Sequence, residues 1–382
     1  MKNPRFFKPT IRGLARLAFV PVMICLLSAP SWGKTEPTLN QGKKWRIGYY
    51  EGGPYSNYAR TMKTLIEGLM NLGWLEKKSL PEFEGDTVKP YWDWLVENPG
   101  KFLSFYPQDA YSADWNKTRR REVRTELLEK LKSGNLDLII AMGTWAGQDL
   151  ANNHHNIPTI VLSTSDPVRA GIVKSAEDSG LDHVTARVDP WRYLRQLRMF
   201  HRIVGFKKLG IAYEDTPAGR IYSALDKASQ VAVERGFTVE KCAVKETDVR
   251  TSVADDSCRR CFQHLSQHTD AIYVTALNCV DRGLQDYVKI FNSHKTPTFS
   301  MVGSPLVEKG LLLSISSSAG FKTQGTYNAG KIAAILNGAK PRALRQTLED
   351  PLDISINMNT ARTIDFPVPE SLLQIAREVY GQ

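Results

Sequence analysis

Residues 137–174, DLIIAMGTWAGQDLANNHHNIPTIVLSTSDPVRAGIVK, constrain the fold of this chain more than any other stretch. Two short runs, 137–142 and 159–162, are almost wholly apolar. Continuous apolar runs of this length belong to strands buried on both faces, as in a parallel sheet. Each run ends in residues that start helices. Thr144, after Gly143, is placed to cap a helix beginning at Trp145, and Asp166 with Pro167 suits a cap followed by the first helical residue. In an open parallel sheet, ligands sit beyond the carboxyl ends of the strands. Helix N-termini there offer unpaired backbone N–H groups to a polar ligand. The stretch predicts one wall of a small-molecule site, with Ser165 and Asp166 at its second strand end.

The same alternation runs along the rest of the chain. Residues 45–50 (WRIGYY) form the first strand, ending at Tyr50, Glu51 and the turn Gly52-Gly53-Pro54. That turn lacks the spacing of a dinucleotide or phosphate loop, so no nucleotide and no cofactor is assigned. A helix follows over 57–72, with Leu65, Leu69 and Leu72 at helical spacing and Gly73 as its stop. An aromatic insertion over 76–111 then breaks the rhythm. It is expected to pack on the surface of its lobe, with 102–106 as a second strand. Helix 119–132 carries Arg119, Arg120 and Arg121 beside Glu122, Glu126 and Glu129, which reads as a solvated face.

A short β-like piece at 183–188 precedes a second series. Its helices lie at 191–204, 221–235, 257–267 and 282–293, and its strands at 208–213, 237–244, 271–275, 297–301 and 311–316. A helix at 325–336, a strand at 353–357 and a closing helix at 370–380 complete the chain. Two such series in 382 residues predict an α/β protein of two doubly wound parallel-sheet lobes, since single cores stop growing near this length. A cleft between facing strand ends is a preferred ligand site.

The first 33 residues are of another kind. Lys2, Arg5, Lys8, Arg12 and Arg16 precede the apolar run 17–27 without one acidic residue, and Ser31-Trp32-Gly33 supplies small residues for cleavage. This predicts a secretory signal peptide over 1–33, cut after Gly33. Cys25 follows Ile24 rather than a small residue, so a lipoprotein is not expected. The whole chain has 50 Lys+Arg and 40 Asp+Glu; losing five basic residues leaves 45 against 40, a net of +5. That excess is too weak to point to nucleic acid.

The exported part retains Cys242, Cys258, Cys261 and Cys279. In an oxidising compartment these favour structural disulfides, with three pairings open. The spacing Cys258-Arg-Arg-Cys261, then His264 and His268, invites a zinc or redox reading. On one continuous helix Cys258 and His268 would stand about 15 Å apart along the axis, too far to share one tetrahedral ion. A two-ligand pair at His264 and His268 would be incomplete. A thiol at a helix start beside two arginines has a physical basis for acidity, but no thioredoxin-like context surrounds it. No serine–histidine–acid arrangement stands out either, so no enzyme is expected.

The chain resembles the substrate-binding proteins of ABC transporters related to tryptophan- and other amino-acid-binding lipoproteins, with a type I periplasmic binding fold. The resemblance rests on 137–143 with Thr144, on the run Ser165-Asp166-Pro167-Val168, Ala170-Gly171-Ile172-Val173-Lys174-Ser175, and on 208–213, 270–274, 307–311, 330–333 and 357–363. It implies three crossings between lobes, near 185–189, 314–318 and 344–353. The N-lobe is then 45–186 with 317–345, and the C-lobe 187–316 with 350–382. Carried over by position, the ligand contacts are Tyr50, Glu51, Thr144, Trp145, Ser165, Asp166, Thr275 and Asn278.

The resemblance also implies a periplasmic protein, expected as a monomer, that captures a small organic ligand and hands it to an ABC importer permease. A ligand-sensing module for a membrane receptor or kinase is the alternative. The chain departs from the family pattern after 271–274, where Thr275-Ala276-Leu277-Asn278 lacks an acid, and over 297–307, which also lacks one. The C-lobe wall is thus expected to offer no partner for a ligand ammonium.

Overall fold

Two sheets are laid down one after the other along the chain. The computed structural model describes Met1 and residues 34–83, 85–248, 250–316 and 318–381; apart from Met1, the signal peptide read over 1–33 lies outside the described residues. The first series comprises β1 (Trp45–Glu51), α1 (Ser56–Asn71), α2 (Lys89–Glu97), β2 (Leu103–Ser104), β3 (Ala110–Ser112), α3 (Lys117–Lys132), β4 (Leu138–Met142), α4 (Gly143–Leu150), β5 (Thr159–Leu162) and β6 (Val184–Ala186). Its strands run parallel in the order β2-β1-β4-β5-β6, with β3 also on β1. Every residue of β4 and β5 is buried, as their apolar composition requires.

The second series comprises α5 (Arg192–Val204), β7 (Lys208–Glu214), α6 (Pro217–Tyr222), α7 (Leu225–Arg235), β8 (Thr238–Val244), α8 (Thr251–His268), β9 (Ala271–Val274), α9 (Asn278–Ser293), β10 (Thr298–Ser300), α10 (Ser304–Glu308) and β11 (Leu313–Ser314). After α11 (Ser318–Leu336) come β12 (Ile354–Asn357), α12 (Met358–Thr363), α13 (Glu370–Ile375) and β13 (Ala376–Tyr380). The second sheet has the order β13-β12-β11-β10-β9-β7-β8, parallel except between β11 and β12.

Helix α11 leaves the second series and packs on α1 of the first. A Cβ at Gly325 would lie 2.3 Å from the Thr64 carbonyl oxygen, so the two helix backbones touch there. Nearly two turns further, Lys331 is fully buried and donates to Thr185 Oγ1 (3.0 Å) and the Ala186 carbonyl (2.9 Å) of β6. Burial pushes its pKa down to about 7, with Arg187 adding to the effect. Two of the connecting segments pair with each other: the Val188 N–H donates to the Gln346 carbonyl and the Leu348 N–H to the Val188 carbonyl.

Three local expectations are corrected. The helix read over 221–235 is two helices, interrupted at Ala224 in the left-handed region (φ 53°). The closing helix read over 370–380 stops at Ile375, and 376–380 instead pairs in parallel with β12. An open sheet edge is a tertiary partner that helical periodicity cannot reveal. The third concerns Asp166 and Pro167, which start a single turn rather than a helix. Gly171 at φ 70° ends that turn, with the Ile172 N–H reaching back to the Pro167 carbonyl.

The aromatic insertion does pack on the core. Trp92 of α2 is buried against Tyr49 (ring centroids 5.7 Å) and Phe105 (5.4 Å).

The four cysteines form two disulfides, Cys242–Cys261 and Cys258–Cys279, which tie β8, α8 and the start of α9 together. Each closes a loop of about twenty residues, for which the chain-entropy model gives roughly 3 kcal/mol. Replacing both Cys258 and Cys279 with alanine is therefore expected to lower unfolding stability by about 2–4 kcal/mol, measured by denaturant titration.

Candidate functional site

The strand ends of the two sheets face each other across a cleft of about 570 Å³. On the first-sheet side it is lined by Tyr55 and Tyr58 at the start of α1, Trp115, Thr144 and Trp145 of α4, and Ser163 and Ser165 after β5. On the other side stand Tyr222 at the end of α6, Glu246 and Thr247 after β8, and Ala276 and Asn278 at the start of α9.

Five aromatic rings make this an aromatic box. Tyr55 and Tyr58 meet edge to face at 5.2 Å, and Trp115 and Trp145 at 5.4 Å. Trp145 is held from behind by Arg120, whose guanidinium lies 4.6 Å from the ring centroid and forks onto Asp149 (2.8 and 2.9 Å). Trp115 is fixed by its Nε1–H, which donates to the Pro54 carbonyl, and by a Cβ-free path at Gly52 and Gly53. A Cβ at Gly53 would lie 2.6 Å from the Trp115 ring. This is the physical reason for the Gly-Gly-Pro turn. Trp115 (φ 54°) and Ser163 (φ 53°) are both held in the left-handed region, a strain that gathers where side chains must be aimed.

Helix α4 begins two residues earlier than the sequence predicts. Gly143 at φ 84° opens it, and Thr144 lies in its first turn rather than at its cap. A Cβ on Gly143 would fall 1.7 Å from Tyr58 Oη, so this glycine leaves the space that the tyrosine hydroxyl fills.

On the opposite wall, Glu246 accepts the backbone N–H groups of Asn278 and, at 3.4 Å, of Cys279. Burial pushes its carboxyl up to about 8, against the lowering effect of those N–H groups and of Arg282. Glu214 stands behind it and anchors the wall by accepting the Tyr222 hydroxyl (2.8 Å) and the Thr247 N–H (3.1 Å). Among the described residues, none lining this part of the cleft is lysine or arginine. The box is apolar, ring-walled and acidic at one point.

The eight sequence-predicted contacts divide evenly. Thr144, Trp145, Ser165 and Asn278 line the cleft, and the other four do not. Tyr50 is fully buried with its hydroxyl on Asp149 (2.8 Å). Glu51 points to the opposite side of β1, where it accepts the Tyr49 hydroxyl at 2.5 Å and burial raises its pKa to about 7. It lines a separate space beside Trp92 of the insertion. Asp166 caps its own turn by accepting the Arg169 N–H (3.0 Å). Thr275 is buried and donates to the Ala212 carbonyl (2.7 Å).

The expectation of an acid-free second wall is also corrected, because Glu246 arrives from the β8–α8 loop rather than from the segments after β9 and β10. Tyr58 and Tyr222 carried no signal of their own in the sequence, while the Gly-Gly-Pro turn and Gly143 marked where aromatic side chains approach backbone.

Two facing α/β sheets with an aromatic cleft at their strand ends define a solute-binding protein of the type I periplasmic class. Residues 113–380 match the family described as ABC transporter substrate binding protein, and the chain belongs to that family. A related protein from Clostridioides difficile, named tyrosine-binding protein, is 26% identical over 248 residues, 63% of this chain and 66% of that protein's length. Two solved structures share the fold and are covered over their full length by 88% of this chain. One is a conserved domain protein from Vibrio cholerae (TM-score 0.68, 21% identity). The other is an ABC domain from Streptococcus pneumonia in complex with L-Trp (TM-score 0.67, 20% identity).

Proposed function

We propose that this protein is exported to the periplasm, captures a small organic ligand carrying a flat or cationic group between its two lobes, and delivers it to an ABC importer permease. The observation that carries this reading is the five-ring box closed from both sides. Aromatic faces stack on flat groups and attract cations, and Glu246 supplies the matching charge. The ligands named for the relatives, tyrosine and L-Trp, both bear an aromatic ring, which supports the same chemistry.

Contacts across the cleft support a capture mechanism. Ser56 Oγ of α1 donates to Asp281 of α9 (2.6 Å), and Arg169 pairs with Asp226 of α7. Such contacts form only when the lobes are together, so a ligand buried between them shifts the balance toward the closed form by its differential affinity. Closure then presents one composite surface to the permease.

A thermal-shift screen of the purified protein against small metabolites tests this. A cognate ligand at a hundredfold excess over its Kd should add about 2.7 kcal/mol of stability. A broad screen with no stabilising compound would count against capture. Co-purification with a sensor kinase rather than permease subunits would turn the reading toward sensing.

A further inference from the structure

The cleft does not end at the aromatic box. Tyr55, Ser163, Ser165 and Ala276 line both the box and a second space of about 490 Å³. The charge reverses there, for among the described residues the only charged side chains lining the second space are Arg187 and Arg192. Both guanidiniums turn to a single carboxylate behind them. Arg187 Nη1 lies 2.7 Å from Asp350 Oδ1 and Arg192 Nε lies 3.4 Å from Oδ2. Gln324 also donates to Oδ1 (2.9 Å).

This arrangement leaves polar groups unsatisfied. Among the described residues, neither Arg192 Nε nor the Asp350 Oδ2 that it faces has a hydrogen-bond partner, nor has the hydroxyl of Thr164, a lining residue only 9% exposed. Arg195, the third guanidinium of the cluster, takes Asp189 (2.7 Å) and Glu349 (2.9 Å), so three arginines face three carboxylates, and Arg192, held only by its 3.4 Å contact to Asp350 Oδ2, is the most weakly paired of them. A buried hydroxyl without a partner is itself costly. One group meets both needs: an anion with oxygen acceptors, for which a guanidinium fork is well shaped. A single weakly paired guanidinium fits a singly charged carboxylate better than a phosphate dianion.

We propose that the Arg187–Arg192 space is a carboxylate subsite, and that the natural ligand is dipolar with its two charges well separated. Its amine sits in the aromatic box at Glu246, its carboxylate meets Arg192 and Thr164, and its spacer lies over the four shared residues. The second space reaches residues 301 and 302 after β10, whereas Glu246 follows β8, three places along the sheet, and leans back over the start of α9. With strands about 4.8 Å apart, the two poles are set off on the order of 10 Å. An α-amino acid carries both charges on one carbon and cannot reach both.

This inference rests on the capture reading and narrows it. Its test uses four probes built on one ring: 4-(2-aminoethyl)phenylacetate, 2-phenylethylamine, phenylacetate and phenylalanine. Binding to the purified protein is followed by calorimetry and by tryptophan fluorescence, since Trp115 and Trp145 line the box. The separated dipole is expected to bind at least tenfold tighter than any of the other three. In Arg192→Gln its affinity should fall to that of 2-phenylethylamine, whose own affinity stays within about twofold.

Arg187 keeps its 2.7 Å pair with Asp350 in that variant, so the ligand-free protein should stay folded. If Arg192→Gln fails to fold, Thr164→Val gives the same readout with a smaller drop. Phenylalanine binding as tightly as the separated dipole, or an unchanged ranking in the variants, overturns the proposal. Failure of all four probes to bind also overturns it, while capture itself still stands or falls on the metabolite screen.

Discussion

Replacing Gly143 with alanine will destabilise the protein by about 2–5 kcal/mol and remove ligand binding. Two separate costs add. The residue sits at φ 84°, and placing an L-residue with a Cβ in the left-handed region costs roughly 1–2 kcal/mol. The new methyl group would also stand 1.7 Å from Tyr58 Oη and 2.5 Å from its Cζ, and overpacking of this kind costs typically about 1–3 kcal/mol.

Relief requires Tyr58 to swing away, and Tyr58 is one wall of the box, so the stability loss and the binding loss share a cause. Gly134 provides the comparison. It has φ 68°, yet a Cβ there would meet nothing within 4 Å. Gly134→Ala should therefore show the backbone cost alone and bind normally. Adding Tyr58→Phe to Gly143→Ala removes the nearest clashing atom and should recover part of the stability. Denaturant unfolding and ligand titration of the four proteins check the prediction. Equal losses in Gly143→Ala and Gly134→Ala would show that Tyr58 plays no part.

The second large effect concerns Glu246, where stability and binding should move in opposite directions. Its carboxyl is raised to about 8 by burial, whereas in the unfolded chain it titrates near 4.3. Between those values the native state holds more protons than the unfolded state, so stability falls as pH rises from about 4 to 8. Glu246→Gln removes that slope and should make the ligand-free protein more stable at pH 8.

Binding of an amine has the reverse sign, because it requires the carboxylate. Affinity should climb by up to about tenfold per pH unit until pH is near 8, with protons released on binding. In Glu246→Gln the affinity should be lower and flat across the same range. Calorimetry at several pH values in buffers of different ionisation heat measures both the affinity and the proton count. A wild-type affinity independent of pH would remove Glu246 from the site.

Much of the fold was legible because burial on both faces leaves a mark in local composition. The runs that became β4 and β5 contain only residues suited to a parallel sheet interior, and α1 and α9 kept their helical spacing. The insertion around Trp92 was read as packing because large rings need a core. Legibility failed where a segment's fate depended on a distant partner. Residues 376–380 are a strand because β12 leaves an edge open to them, and α8 alone could not say which of its cysteines meets Cys242 and which meets Cys279.

The candidate site divides along the same line. Thr144, Trp145, Ser165 and Asn278 line the cleft, as expected of strand ends in a parallel sheet, and a strand end is visible in sequence. Tyr50 and Thr275 were misplaced by the same rule, since neighbouring residues at a strand end face opposite sides of the sheet.

By itself, then, the sequence determined that this chain forms two α/β series of the substrate-binding kind and that the ends of β4 and β5 open on a cleft. Tertiary structure alone decided what the cleft asks of that ligand. Tyr58, Trp115 and Tyr222 come from three separate elements, and Glu246 meets Asn278 from thirty-two positions away in the chain. Arg187 and Arg192 come to line one space only because folding turns both to the carboxylate of Asp350. Local periodicity reports which face of a segment is buried. The chemistry of a cleft is a sum over side chains that become neighbours only after folding.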